Sequence, residues 1–406
     1  AAKKVNDIGK VKASSGSPAW DTSREDTVTV SVINNFYTAG EKKLAEDYMA
    51  LHPETKVVID VISDNDAYTT KMMTSMSDDR SNAPDIVHGN FLAMAVSNDN
   101  MGIAAEKGYI YDLSDLKCIR NLSKDALIQS TYDGKVFSLP LSYTCFGFVW
   151  NVDMLKQYDL AVPENREEFL NVCETLKENG ILPYGANKDF GLTVPVMCAG
   201  LYDVYQGEGT EQKLQELSEG TTPVSEYMRK GFDFLQMMID KGYMDPEKAL
   251  DTIPSSDGEK EFFAQENCAF ICAIYRGKTF EGYPFEIEMT PLPLLENGSI
   301  CVVGADQRLA INPNAKHLEA AITVVEALGQ TEILDAFAQN LGKISSSKNA
   351  TAPAIPQSDS IISCVVKGSQ IPNQDFRLHF NVWDTVRDLS QMLCQGHSPG
   401  RGVKRI

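Results

Sequence analysis

A chain of 406 residues exceeds what one hydrophobic core normally organises, so two domains are expected, and an apolar fraction of 43% suffices to build their cores. Its net charge of −19 opposes binding to nucleic acid or to anionic membrane surfaces, which would repel it. No apolar run approaches the ~18 residues that a bilayer span needs.

Residues 1–26 are polar, and Ser14-Ser15-Gly16-Ser17-Pro18 reads as a flexible linker. They lack an apolar h-region, so any secretory signal is expected to have been removed. A strand over 27–33 leads to a helix over 40–51, with Leu44, Tyr48 and Leu51 on one stripe and Pro53 as its stop. Then come a strand over 56–62, a helix over 67–76 and a short strand over 85–88, an alternation that predicts a mostly parallel sheet. Residues 131–151 predict a turn at Asp133-Gly134, a short strand, a break at Pro140 and an apolar strand ending at Trp150-Asn151. Helices are expected over 163–179, closed by Gly180, and over 225–241, closed by Gly242. A fully buried strand over 268–274 follows, then a strand over 308–311 and helices over 316–328, 331–340 and within 373–396.

Nine cysteines, spread from Cys118 to Cys394, contain no Cys-x-x-Cys pair and no metal-binding spacing. Cys268 and Cys272, four apart in an expected strand, share one face and are expected to pack rather than bridge. A disulfide framework is not expected for so large a core, and mostly free thiols outside a cell would suit an anaerobic host. A literal Gly-x-Ser-x-Gly stands at Gly396-His397-Ser398-Pro399-Gly400, but a helix precedes it and no His or carboxylate side chain follows, so it is no nucleophile elbow. No phosphate-binding loop, dinucleotide fingerprint or His-Glu-x-x-His occurs, and of the five scattered histidines only His88 falls near an expected site. No catalytic residue, metal ligand or cofactor is therefore assigned. Paired carboxylates for glycoside hydrolysis stay open as an alternative, because 56 acidic residues offer many pairs and none stands out.

Several motifs, taken in order, carry a family resemblance. They are Ala83-Pro84-Asp85, Gly108-Tyr109-Ile110-Tyr111-Asp112-Leu113, Asp133-Gly134-Lys135 leading to Leu139-Pro140, and Trp150-Asn151-Val152-Asp153-Met154-Leu155. Phe263–Phe270 (a "F-x-x-G-x-x-A-M" pattern), Pro291-Leu292-Pro293 and Gly396-His397-Ser398-Pro399 complete the series. Together they resemble the extracytoplasmic solute-binding proteins that feed sugars to ABC transporters, of the maltose-binding-protein type, over about 28–406. The resemblance implies a two-lobed α/β fold with a mostly parallel sheet flanked by helices in each lobe. Residues 27–143 with 295–343 would form one lobe and 144–294 with 344–406 the other, closing on ligand by a hinge. Crossovers are expected near 142–146, 291–296 and 342–346. It further implies a monomeric lipoprotein of the outer membrane face, its lipidated Cys ahead of Ala1, with a carbohydrate ligand and ABC permease subunits as partners. The same fold binding another small solute stays open.

A sugar offers hydroxyls and an apolar ring face, so its site needs aromatic planes and Asn, Asp, Gln or Arg, collected beyond the carboxyl ends of the strands. After the first strand stand Asn34, Asn35 and Phe36, and after the strand over 85–88 stands Asn90. Asn34 matches a polar position of maltose-type binders. Tyr143 and Thr144 occupy the crossover where such proteins place a carboxylate that this chain lacks. Asp189, with Phe190 beside it, aligns with an acidic contact of the family when counted back from Pro195. Tyr275 and Arg276 stand where the family commonly stacks a tryptophan; Arg276 raises the expectation of an acidic sugar in the ligand. Asp306 and Gln307 precede the strand over 308–311. Trp383, within Phe380-Asn381-Val382-Trp383-Asp384, resembles the family's helix start that presents a stacking Trp. Trp150 is expected in the core.

Overall fold

A computed structural model describes residues 26–33, 37–76, 83–97, 101–275, 277, 282–350 and 356–397. The first part alternates as the sequence predicts: β1 (Asp26–Ile33), α1 (Thr38–Leu51), β2 (Thr55–Ile62), α2 (Asn65–Ser75), β3 (Ile86–His88) and α3 (Gly89–Val96). Val28, Val30 and Val32 of β1 are buried, and β1 pairs in parallel with β2 (Val28↔Val57) and β3 (Val30↔Ile86). Tyr68 of α2 fastens this layer, its hydroxyl donating to the Ser31 carbonyl and accepting from the His88 amide, each at 2.9 Å. Asp133 and Gly134 both take positive φ (48° and 72°) in a tight hairpin turn, joining the short strands Thr131–Tyr132 and Lys135–Val136.

Next, β4 (Leu139–Asn151) runs unbroken through Pro140, where a break was expected. α4 (Arg166–Glu178) starts after the Asn165 cap, whose side chain accepts from the Glu168 amide, instead of at Pro163. α5 (Phe190–Tyr205) falls where no element was expected from the sequence. Pro195 inside α5 cannot donate to the carbonyl four residues back, that of Gly191, and the Tyr184 hydroxyl donates to it instead at 2.5 Å. The helix expected over 225–241 is two, Val224–Tyr227 and α6 (Arg229–Asp240), separated at Met228, which is buried against Gly200. α5 and α6 approach so closely that a Cβ on Gly231 would lie 2.2 Å from the Val196 carbonyl oxygen.

Among the elements that follow are β5 (Phe270–Tyr275), β6 (Ile287–Thr290), β7 (Gly298–Ile311), α7 (Leu318–Leu328), α8 (Thr331–Leu341), β8 (Ile344–Ser345), α9 (Asp359–Lys367), β9 (Gln370–Pro372) and α10 (Val382–Cys394). Glu266, at the Gly position of the Phe263–Phe270 pattern, takes φ 61°, the left-handed conformation a glycine would adopt without strain. Eight of the nine cysteines are buried, Cys268 and Cys272 among them. No helix among the described residues is long and apolar enough to cross a membrane.

Two compact units result. Unit 1 comprises 1–143, 305–351 and 375–377, and unit 2 comprises 144–304, 352–374 and 378–406. One changeover falls at 304/305, inside the continuous strand β7 that begins at Gly298, against the expected 294/295; the next follows Thr351, against the expected 343/344. In unit 1 the strand order is β7–β3–β1–β2, with β7 antiparallel to β3 (Leu309↔His88). In unit 2, β5 and β6 pair antiparallel with β4 (Trp150↔Phe270, Phe148↔Thr290) and β9 pairs in parallel with β7. Trp150 is fully buried there, stacked on Phe270 at 4.2 Å, with its indole N–H on Thr290 Oγ1 at 2.9 Å.

Candidate functional site

Of the residues expected in unit 1, Asn90 follows the end of β3, Tyr143 lies on β4, and Asp306 and Gln307 lie on β7. Asn34, Asn35 and Phe36 lie outside the described residues, and Tyr37 follows them at the head of α1. Asn90 is half-buried in the first turn of α3. His88 is buried with Glu41, its Nε2 2.7 Å from Glu41 Oε1. Burial disfavours its imidazolium, but Glu41 outweighs burial and the net shift of the His88 pKa is upward. The Tyr143 hydroxyl is hydrogen-bonded to Ser123, and Gln307, at φ 45°, accepts from the Ser142 hydroxyl at 2.7 Å; both residues are buried.

Asp306 is different. Its side chain keeps 28% exposure, while Oδ2 accepts from Lys343 Nζ at 2.7 Å and Oδ1 from the Gln307 amide at 3.0 Å. Lys343 also donates to the Tyr37 hydroxyl at 2.9 Å and lies 4.2 Å from the centre of that ring. Burial alone would lower the Lys343 pKa, but Asp306 overrides it and the shift is upward; Tyr37 is raised, first by burial and then by Asp306. Tyr37 and Lys343 were missed in the sequence. A lysine after Gly342 at a helix end reads as solvated, and no local pattern links it to Asp306.

In unit 2, Trp383 sits in the first turn of α10, started by Asn381, whose side chain accepts from the Asp384 amide. The indole N–H donates to Asp189 Oδ1 at 2.9 Å, and the ring lies 5.1 Å from Phe146, tilted 45°. Phe146 in turn meets Phe190 at 5.8 Å, so Trp383, Phe146 and Phe190 form one aromatic cluster with a carboxylate at its margin. Trp383 and Asp189 are half-buried, whereas Phe190 belongs to the core.

The turn that carries Asp189 is held from below. Asn187, fully buried, donates to Glu259 Oε1 at 2.6 Å, and its Oδ1 accepts from the Asp189 and Gly191 amides at 3.1 and 2.8 Å. Burial raises the Glu259 pKa. Gln391 of α10 donates to the Lys188 carbonyl at 2.7 Å, tying the helix to the turn. Thr144 is half-buried at the start of the unit 2 part of β4; Tyr275 is fully buried opposite Cys145, and burial pushes its phenol up. Arg276 lies outside the described residues. Among the described residues no group of three or more His, Cys, Asp or Glu is placed to hold a metal. The two arrangements offer fixed carboxylate acceptors and one fixed aromatic platform, which are the requirements of hydroxyl and sugar-ring recognition.

The model of the bacterial extracellular solute-binding proteins matches residues 37–333. The multiple sugar-binding protein of Streptococcus mutans is 23% identical over 311 residues, 74% of this chain and 70% of that protein. The structure of a family 1 extracellular solute-binding protein from Bifidobacterium longum subsp. infantis is similar with a TM-score of 0.72 at 17% identity, covering 93% of this chain and 96% of that one. That of a Bacillus licheniformis sugar transporter in complex with stachyose gives 0.58 at 21% identity, covering 92% and 96%. The fold is theirs.

Proposed function

Because this chain belongs to the bacterial extracellular solute-binding proteins, we propose that it captures a carbohydrate, in the form of an oligosaccharide, and delivers it unaltered to the permease of an ABC importer. The observation that carries this reading is Trp383, a half-exposed indole whose plane is fixed by Asp189 and Phe146. A ring held that way stacks on a sugar face with little ordering cost. Asp189 and Asp306, and Asn90 with its amide, supply hydroxyl partners. The names of the Streptococcus mutans and Bacillus licheniformis proteins support the sugar class. We place the protein at the outer membrane face as a monomer on an N-terminal lipid anchor, a reading to which the polar linker-like composition of residues 1–26 is suited.

A thermal-shift screen against neutral, amino- and uronate-containing oligosaccharides tests it. A ligand at a hundred times its Kd adds about 2.7 kcal/mol to stability, which such a screen resolves easily. Stabilisation by one glycan class, with that glycan recovered intact after overnight incubation, is expected. No stabilisation by any member, or release of a cleaved product, refutes the proposal.

A further inference from the structure

Lys343 is a fully buried ammonium at the edge of unit 1, and its pairing is one-sided: the ammonium has no exposure while its partner Asp306 reaches outward at 28%. Isolated burial of such a charge is costly, so the pair with Asp306, the Tyr37 hydroxyl bond and the Tyr37 ring face together keep it ionised. Asp306 is further fixed from its own backbone through Oδ1 and the Gln307 amide, and Gln307 is itself held by Ser142. The outcome is a carboxylate of set orientation, with two oxygens able to accept more than one bond each, whose charge is cancelled from behind.

We infer that Lys343 is a positioning and charge-balancing residue that makes Asp306 an acceptor for uncharged, hydroxyl-rich ligands and denies it a preference for cationic ones. This rests on the carbohydrate reading and deepens it. A carboxylate without the ammonium would attract an amino sugar and repel a uronate; with it, sugar hydroxyls are bound by direction and not by charge. Asp306 is one of the residues expected to contact ligand from unit 1, and Tyr37 is joined to it through Lys343.

The test measures Kd by calorimetry for stachyose and for its forms bearing an amino group or a carboxylate at C6 of the terminal galactose. Wild type should prefer neutral stachyose. In Lys343→Met the ratio of amino-form to neutral affinity should rise by roughly tenfold, and the rise should shrink at high salt. Lys343→Arg should restore the wild-type ratio, and Lys343→Met combined with Asp306→Asn should abolish the new cation preference. A lysine that only holds β8 in place would weaken all three ligands by one factor, leaving the ratio unchanged, and that result overturns the inference while the carbohydrate reading stands. Should Lys343→Met fail to fold, Asp306→Asn alone decides: at least a tenfold loss for neutral stachyose is expected, and affinity within twofold of wild type overturns the inference. A wild type that binds none of the three forms overturns it, and one that binds no glycan of the panel overturns the carbohydrate reading as well.

Discussion

Replacing Trp383 separates a recognition platform from a piece of core. Trp383→Ala removes the indole, its bond to Asp189 and its contact with Phe146, whereas Trp383→Phe keeps a ring on Phe146 and removes only the N–H donor. If a sugar covers about a quarter of the ~200 Å² that a large aromatic can bury, the area contributes about 1.2 kcal/mol at ~25 cal/mol per Å². Stacking adds ~0.5–1.5 kcal/mol, for a total of about 1.7–2.7 kcal/mol and a loss of roughly 15- to 90-fold in affinity. Trp383→Phe should lose less, because an aromatic face remains. Trp150→Phe is the control: it strips the buried Thr290 bond and should lower thermal stability while leaving Kd within twofold. Calorimetry with the best glycan of the screen, alongside thermal melts, reads all three variants. A Trp383→Ala protein that melts lower but binds within twofold of wild type would refute the platform and assign the ring to packing.

Two further predictions concern the scaffold. The His88 pKa is raised in the folded chain, so the pair with Glu41 contributes stability that is complete below about pH 6.5 and is lost as pH rises through the folded value. Wild type should therefore lose urea resistance between pH 6 and pH 9, and His88→Gln should flatten that slope while costing ~3–5 kcal/mol at pH 6, as removal of one partner from a buried pair does; parallel slopes would disprove the assignment. Tyr184→Phe should cost ~1–3 kcal/mol by leaving the Gly191 carbonyl without the tyrosine hydroxyl, and adding Pro195→Ala should recover most of it by supplying the helical N–H that proline lacks. Equal stability of single and double variants in chemical denaturation would show that Tyr184 does not substitute for the missing helix bond.

What the sequence disclosed follows from how each segment meets water. β2, α1 and α2 each have one wet face, so their period survives in the residues, and their boundaries fell within two positions. α5 has none: Phe190–Val204 is apolar on nearly every side because the helix is buried all round, and Pro195 adds a breaker whose compensation by Tyr184 is invisible locally. The early half of β7 was missed for the same reason, a short apolar run without alternation. At the candidate site, Trp383 could be placed through the resemblance of residues 380–384 to the family's helix start, and α10 does begin there behind the Asn381 cap. Lys343 could not be placed, because its partners lie 37 and 306 residues away and only the fold brings them together.

The candidate carboxylate of each unit, Asp306 in unit 1 and Asp189 in unit 2, also bears on catalysis. Hydrolysis of a glycosidic bond needs one carboxyl that holds a proton to give to the leaving oxygen and a second that attacks or activates water. Asp306 is paired with an ammonium at 2.7 Å, an arrangement that favours the ionised form and so opposes a proton-donating role. Asp189 accepts an indole N–H through Oδ1, which sets that oxygen as an acceptor. Burial also raises the carboxyls of Glu259, Asp85, Glu326 and Glu288, and the first three hold the scaffold: Glu259 accepts from the Asn187 side chain and the Ser255 amide, Asp85 from the Thr29 and His317 amides, Glu326 from the Cys118 amide. Asp189 and Asp306 are set as acceptors, and three of the four carboxyls raised by burial hold the scaffold. That division of labour suits a protein that must hold its ligand through many encounters with a transporter and release it unchanged.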